Sequence, residues 1–105
     1  MDEIIKKSIT FAANINGTTF DEVMGNRRFM RPARAKRMCI ALFVSYGMDM
    51  IDVADIFSIS REHIRSSINR HEEEKRFDKS YKELYYQLRK EYERIIENGK
   101  NDNRD

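Results

Sequence analysis

The chain is 105 residues long, the size of one ordinary domain. Its 20 Lys plus Arg against 18 Asp plus Glu leave a formal charge of +2, and 40% hydrophobic with 10% aromatic residues suffice for a modest core. A nucleotide-hydrolysing domain alongside anything else is excluded by length, and no apolar run approaches the ~18–20 residues that cross a bilayer. The lone cysteine, Cys39, excludes an internal disulfide and fits a reduced, cytoplasmic setting.

The opening Met1-Asp2-Glu3 is acidic and lacks the apolar core of a secretory signal, so export is not expected. Asn16-Gly17-Thr18 then reads as a turn rather than a glycosylation acceptor. A first helix is expected over about Asp2–Asn14, with Ile5, Ile9, Ala12 and Ala13 on one face. Thr19-x-x-Glu22 has the form of a capping box and opens a short helix with Phe20 and Val23 inward, stopped at Gly25. A basic loop follows. Pro32 suits the first turn of a long helix that runs to about Tyr46, where its missing N–H costs nothing. Ala35, Met38, Cys39, Leu42, Phe43 and Tyr46 give that helix a core stripe, and Gly47 is its expected cap. Asp49 can cap a helix over Met50–Phe57 with Val53, Ala54 and Phe57 inward. Ser58-Ile59 makes a tight turn, and Ser60 can cap a helix from Arg61 to about Glu73 anchored by Ile64 and Ile68. A last helix begins near Asp78. Its stripe of Tyr81, Leu84, Tyr85, Leu88, Tyr92, Ile95 and Ile96 reads as core cover, with a homodimer or partner seam as the alternative. Residues 98–105 read as a polar flexible tail. The expectation is thus an all-α, compact bundle of about six helices, a single domain over residues 1–97, containing a helix-turn-helix.

Charge is segregated along the chain: −2 over residues 1–25, +5 over 26–70 and −1 over 71–105. The densest run is Arg27, Arg28, Arg31, Arg34, Lys36 and Arg37, with no acid among them. The planar fork of arginine suits phosphate and base edges. Cations at a helix start oppose the helix dipole, so this placement points to an anionic partner rather than to local stability.

Residues 49–71 have the pattern of a helix-turn-helix. Ala54 allows a close helix crossing, and the second helix shows Arg61, Glu62, Arg65, Ser66, Asn69 and Arg70 outside its Ile64–Ile68 anchor. Such side chains can read base edges in a major groove while a neighbouring arginine-rich loop anchors phosphates. An exposed polar helix is the plainer alternative.

These residues resemble the C-terminal DNA-binding domain of the bacterial replication initiator DnaA. The resemblance spans about Ile4 to Tyr92. It includes Ile4-Ile5-Lys6-Lys7, Phe20-Asp21-Glu22-Val23-Met24, Asn26-Arg27-Arg28, Arg31-Pro32-Ala33-Arg34-Ala35-Lys36-Arg37-Met38 and Ile51-Asp52-Val53-Ala54-Asp55-Ile56-Phe57. In that family a loop arginine enters the minor groove, which the resemblance assigns to Arg28 with Arg27 and Arg31 beside it. Basic residues of the long helix touch phosphates and nearby bases, which implies roles for Lys36 and Arg37. The family's Arg-Asp-His-Thr/Ser-Thr-Val motif is altered here. Matching letters pairs Arg61-Glu62-His63 with Arg-Asp-His and puts Ser66 at the buried Val; matching the core puts Ile64 there. The second register is preferred, because a buried apolar site tolerates a polar replacement poorly. It places Ser60, Arg61, Glu62 and His63 at the base-reading positions. No P-loop sequence occurs, so the family's ATP-driven functions and any nucleotide are not carried over.

Other constellations are weak. His63, His71 and Cys39 lack metal-ligand spacing. Ser66 or Ser67 with His63 lacks oxyanion donors or a pocket, so no enzyme or cofactor is expected. Asp49, Asp52 and Asp55 read as a solvated face before a magnesium site. Glu72-Glu73-Glu74 is expected to end the recognition helix and mark where a duplex does not run. The leading expectation is a regulator or replication-linked factor of a phage or mobile element that binds double-stranded DNA. The alternative is a protein-interaction module of the same fold, acting through surface Tyr85 or Tyr92.

Overall fold

The computed structural model describes residues 1–25 and 29–102. Among them the chain forms six α-helices and no strand: α1 (Glu3–Ile15), α2 (Phe20–Met24), α3 (Met30–Ser45), α4 (Met50–Phe57), α5 (Arg61–Phe77) and α6 (Lys79–Asp102). The all-α bundle expected from helical periodicity is therefore present. α3 is its axis: α1, α2, α4 and α5 all pack on it, while α6 lies against α1 and α5.

The helix starts follow the capping residues. Asp2 Oδ1 accepts from the backbone N–H of Ile4 at 2.8 Å and of Ile5 at 3.3 Å. Thr19 Oγ1 accepts from the Glu22 N–H at 3.2 Å, but the Thr19 hydroxyl itself donates to Glu22 Oε1, so the box closes through side chains. Asp49 and Ser60 cap α4 and α5 by accepting from Ile51 N–H (2.9 Å) and His63 N–H (3.1 Å). Each such bond satisfies a helix-end donor that would otherwise be orphaned. Tyr46, not Gly47, is the C-cap of α3. Gly47 follows it at φ +94°, a left-handed position where a Cβ would be strained, and so turns the chain toward Asp49.

Met38 to Phe43 are six consecutive buried residues. The expected stripe on α3 was too narrow, because Ile40 and Ala41 are buried as well. A helix surrounded by partners is apolar all round, which no single-face periodicity describes. Tyr46 lies at the rim, half-exposed, and donates its hydroxyl to Glu93 of α6. Val53, Ala54 and Phe57 of α4, Ile64 of α5 and Tyr81, Tyr85, Leu88, Tyr92 and Ile95 of α6 complete the core. Full burial of a side chain such as Leu42 or Phe43 stabilises by roughly 1.5–3 kcal/mol. The α6 stripe is thus core cover. Tyr85 and Tyr92, expected at the surface under the interaction alternative, are 6% and 9% exposed, and Tyr86 is the outward tyrosine of that helix.

Two boundaries lie further on than expected. α5 continues to Phe77, so Glu72-Glu73-Glu74 sits within the helix rather than at its end. α6 runs to Asp102, into the segment expected as a polar tail. In α5, charged residues extend the helix beyond the last core contact at His71, with pairs three and four residues apart, Glu72–Lys75 and Arg70–Glu74, supporting it.

Candidate nucleic-acid interface

α4 and α5 form a helical hairpin through Ser58, Ile59 and Ser60. Ser58 adopts the left-handed conformation (φ 53°, ψ 48°), and the Ile59 N–H returns to the Ala54 carbonyl at 3.0 Å. This turn lets Ile64 bury completely against the core while Ser66 faces outward. That arrangement matches the register that places Ile64 at the apolar position.

All seven residues expected to read bases (Ser60, Arg61, Glu62, His63, Arg65, Ser66 and Asn69) are exposed. Ser60 also spends its oxygen on the helix cap. Beside them lies a groove of about 930 Å³. One wall is α5, through His63, Ser66, Ser67, Arg70 and Glu74; the other is the start of α3, through Met30, Ala33, Arg34, Lys36 and Arg37. Val23 and Ile59 contribute apolar surface. Each wall is a stripe at three- and four-residue spacing, so two facing helices alone bring these groups together.

The cations are not arrayed as one free surface. Arg27 and Arg28 lie outside the described residues. Arg31 is exposed but turns to the α1–α2 turn, where its guanidinium lies against Gly17. Lys36 donates from Nζ to the Gly25 carbonyl at 3.3 Å, and burial lowers its pKa from the usual lysine value. Arg37, only 11% exposed, pairs with Glu74 Oε1, which Arg70 Nε also approaches at 3.7 Å. Arg34 Nη2 is 3.9 Å from Asp78 Oδ2, and its guanidinium lies over the Tyr81 ring at 5.5 Å. Two expectations are thereby corrected. The described members of the run, Arg31, Arg34, Lys36 and Arg37, do not form one free cationic face, and Glu74 lines the groove instead of lying beyond it. The sequence run contains no acid because its acids arrive from another helix.

Arg61, Glu62, Arg65 and Asn69 project from α5 outside the groove. Arg70, read from the sequence as one of the outward polar residues of that helix, lines it, and so does Ser67, which was not expected there. The signal was available: 63, 67, 70 and 74 are spaced four, three and four apart on one face. His71 was missed for a related reason. It follows Ile64 and Ile68 on the inner face, is 1% exposed, and its Nδ1 lies 2.6 Å from the Tyr81 hydroxyl. Cys39 is buried, and burial raises its thiol pKa, which leaves it protonated and unreactive. Among the described residues no group of three His, Cys, Asp or Glu gathers to hold a metal, and no helix is long and apolar enough to cross a membrane. Comparison with protein-family models, curated proteins and solved structures finds no match to this chain.

Proposed function

We propose that this chain is a non-enzymatic binder of double-stranded DNA with some sequence preference, acting in the cytoplasm. α5 lies in the major groove and the segment from Arg27 to Arg37 contacts backbone and the adjacent minor groove. The observation that carries this reading is the shared groove, which sets the cationic start of α3 against the exposed flank of α5. Phosphate anchoring and base reading need that adjacency. The resemblance to the DnaA C-terminal domain supports the same assignment, and with it a regulatory or replication-linked role in a phage or mobile element.

A second reading is supported by the ion pairs of Arg34 and Arg37. A protein-interaction module of this fold would satisfy those cations internally and need no duplex. Selection from a random duplex library, with Arg28→Ala alongside, separates the two. Enrichment of particular sequences, lost or weakened with Arg28→Ala, supports DNA binding. No retention of any duplex at low salt removes it.

A further inference from the structure

Glu74 and Asp78 sit where an anion would be expected. Glu74 Oε1 takes Arg37 from α3 and is 3.7 Å from Arg70 Nε on its own helix. Asp78 Oδ2 is 3.9 Å from Arg34 Nη2, too far for a hydrogen bond. Arg34 Nε and Nη2 are buried, and neither has a hydrogen-bond partner among the described residues. Two buried donors without partners are an unsatisfied state even though the Arg34 side chain is 23% exposed, and a tetrahedral anion with three or four acceptor oxygens satisfies them better than one distant carboxylate. Glu74 lies in the last turns of α5 with its side chain partly exposed, and Asp78 directly follows that helix. Glu74 can swing about its own rotamers, and Asp78 is the residue between α5 and α6.

We propose that the groove holds two subsites for consecutive backbone phosphates, one formed by Arg37 with Arg70 and one by Arg34, and that Glu74 and Asp78 fill them in the free protein. The inference rests on the DNA-binding reading. It assigns the carboxylates a role: Glu74 holds Arg37 through a direct ion pair, Asp78 offsets the charge of Arg34 from 3.9 Å, and both yield to phosphate. Exchange of a carboxylate for a phosphate never leaves either arginine without a nearby negative charge, and the competition weakens binding.

The test uses Glu74→Gln, Asp78→Asn and the double variant, with Glu83→Gln as a control for the added positive charge outside the groove. Asn at 78 keeps a side-chain oxygen for the Tyr81 N–H that Asp78 now caps. Binding of a fluorescein-labelled mixed-sequence duplex is followed by anisotropy across a salt series, with circular dichroism melts to show that each variant is folded. The double variant should bind about tenfold more tightly, equivalent to ~1.4 kcal/mol. Its plot of log Kd against log salt should steepen by about one to two, as phosphates now displace solution ions from the freed arginines. Glu83→Gln should change affinity less than either single variant. Adding Arg70→Gln should cancel most of the Glu74→Gln gain. If one variant fails to fold, the other tests its own subsite. Binding by the parent chain with no gain in Glu74→Gln or Asp78→Asn, or a gain matched by Glu83→Gln, overturns the subsites and leaves the DNA-binding reading standing. Failure of parent and all folded variants to bind at low salt overturns both.

Discussion

His71 and Tyr81 join α5 to α6 through a 2.6 Å contact between Nδ1 and the tyrosine hydroxyl, in a place almost without solvent. Tyr85 meets the same imidazole edge-on, with ring centroids 4.3 Å apart. Burial first, then the positive charge of Lys75, lowers the His71 pKa to about 4; Glu72 opposes this, and Arg37 adds a smaller push downward. In the unfolded chain it returns to ~6.5. Between these values the unfolded state binds the extra proton, so stability is full above the unfolded pKa and falls as pH drops toward 4. The expected loss between pH 7 and pH 4.5 from this one residue is on the order of 2–3 kcal/mol. Urea melts across that range should show the slope, and His71→Phe should flatten it. A parent chain equally stable at both ends would refute the assignment.

Much of the architecture was legible because it is local. Asp49 and Ser60 cap the helices that their types and positions announced, and Val23, Val53 and Ile64 bury where their spacing puts them. What the sequence hid is what two helices do to each other. The run from Arg27 to Arg37 reads as uncompensated charge until α5 brings Glu74 and Asp78 to it. Ile40 and Ala41 read as off-stripe until the middle of α3, from Met38 to Phe43, is enclosed by its neighbours. His71 reads as one more polar residue of a charged helix until its place behind Ile64 and Ile68 sets it against Tyr81. Pairing across a bundle depends on crossing geometry, which periodicity along one helix does not contain.

Ser58 is the one non-glycine residue with positive φ among the described residues. An L-residue there carries strain on the order of 1 kcal/mol or more that glycine avoids. Its side chain is exposed and makes no hydrogen bond among the described residues that would offset this. Ser58→Gly should therefore stabilise the fold by roughly 0.5–1 kcal/mol, less whatever glycine adds to the entropy of the unfolded chain. A melting temperature a few degrees higher, about 4–8 °C per kcal/mol for a domain of this size, is the measurement. A lower melting temperature would mean that the hydroxyl is stabilising the turn.

Ile64 and Ser66 separate the two ways of aligning α5 with a recognition helix. Ile64 is fully buried and Ser66 is exposed. Ile64→Ala should cost about 2–5 kcal/mol, the range for emptying a core site of that size. Ser66→Ala should leave stability within about 0.5 kcal/mol and act, if at all, on binding. Denaturant melts of the two variants decide the register, and a large loss from Ser66→Ala with little from Ile64→Ala would reverse it.

Arg28 and Arg65 should fail in different ways if α5 reads bases while the loop before α3 anchors the backbone. Arg65 projects from α5, outside the groove, and forms no ion pair among the described residues. Loss of a side chain at a base edge costs about 1–3 kcal/mol on the preferred duplex and little on others, because a mismatched sequence never offered the contact. Loss of a phosphate contact is indifferent to sequence, and it reduces the salt dependence by about one unit because one fewer counterion is released. Arg65→Ala should therefore narrow the gap between preferred and random duplexes with the salt slope unchanged. Arg28→Ala should weaken both by a similar factor and flatten the slope. Measuring four dissociation constants at two salt concentrations for each variant distinguishes these patterns. Identical behaviour of the two variants would remove the division of labour between loop and helix, even if the chain binds DNA.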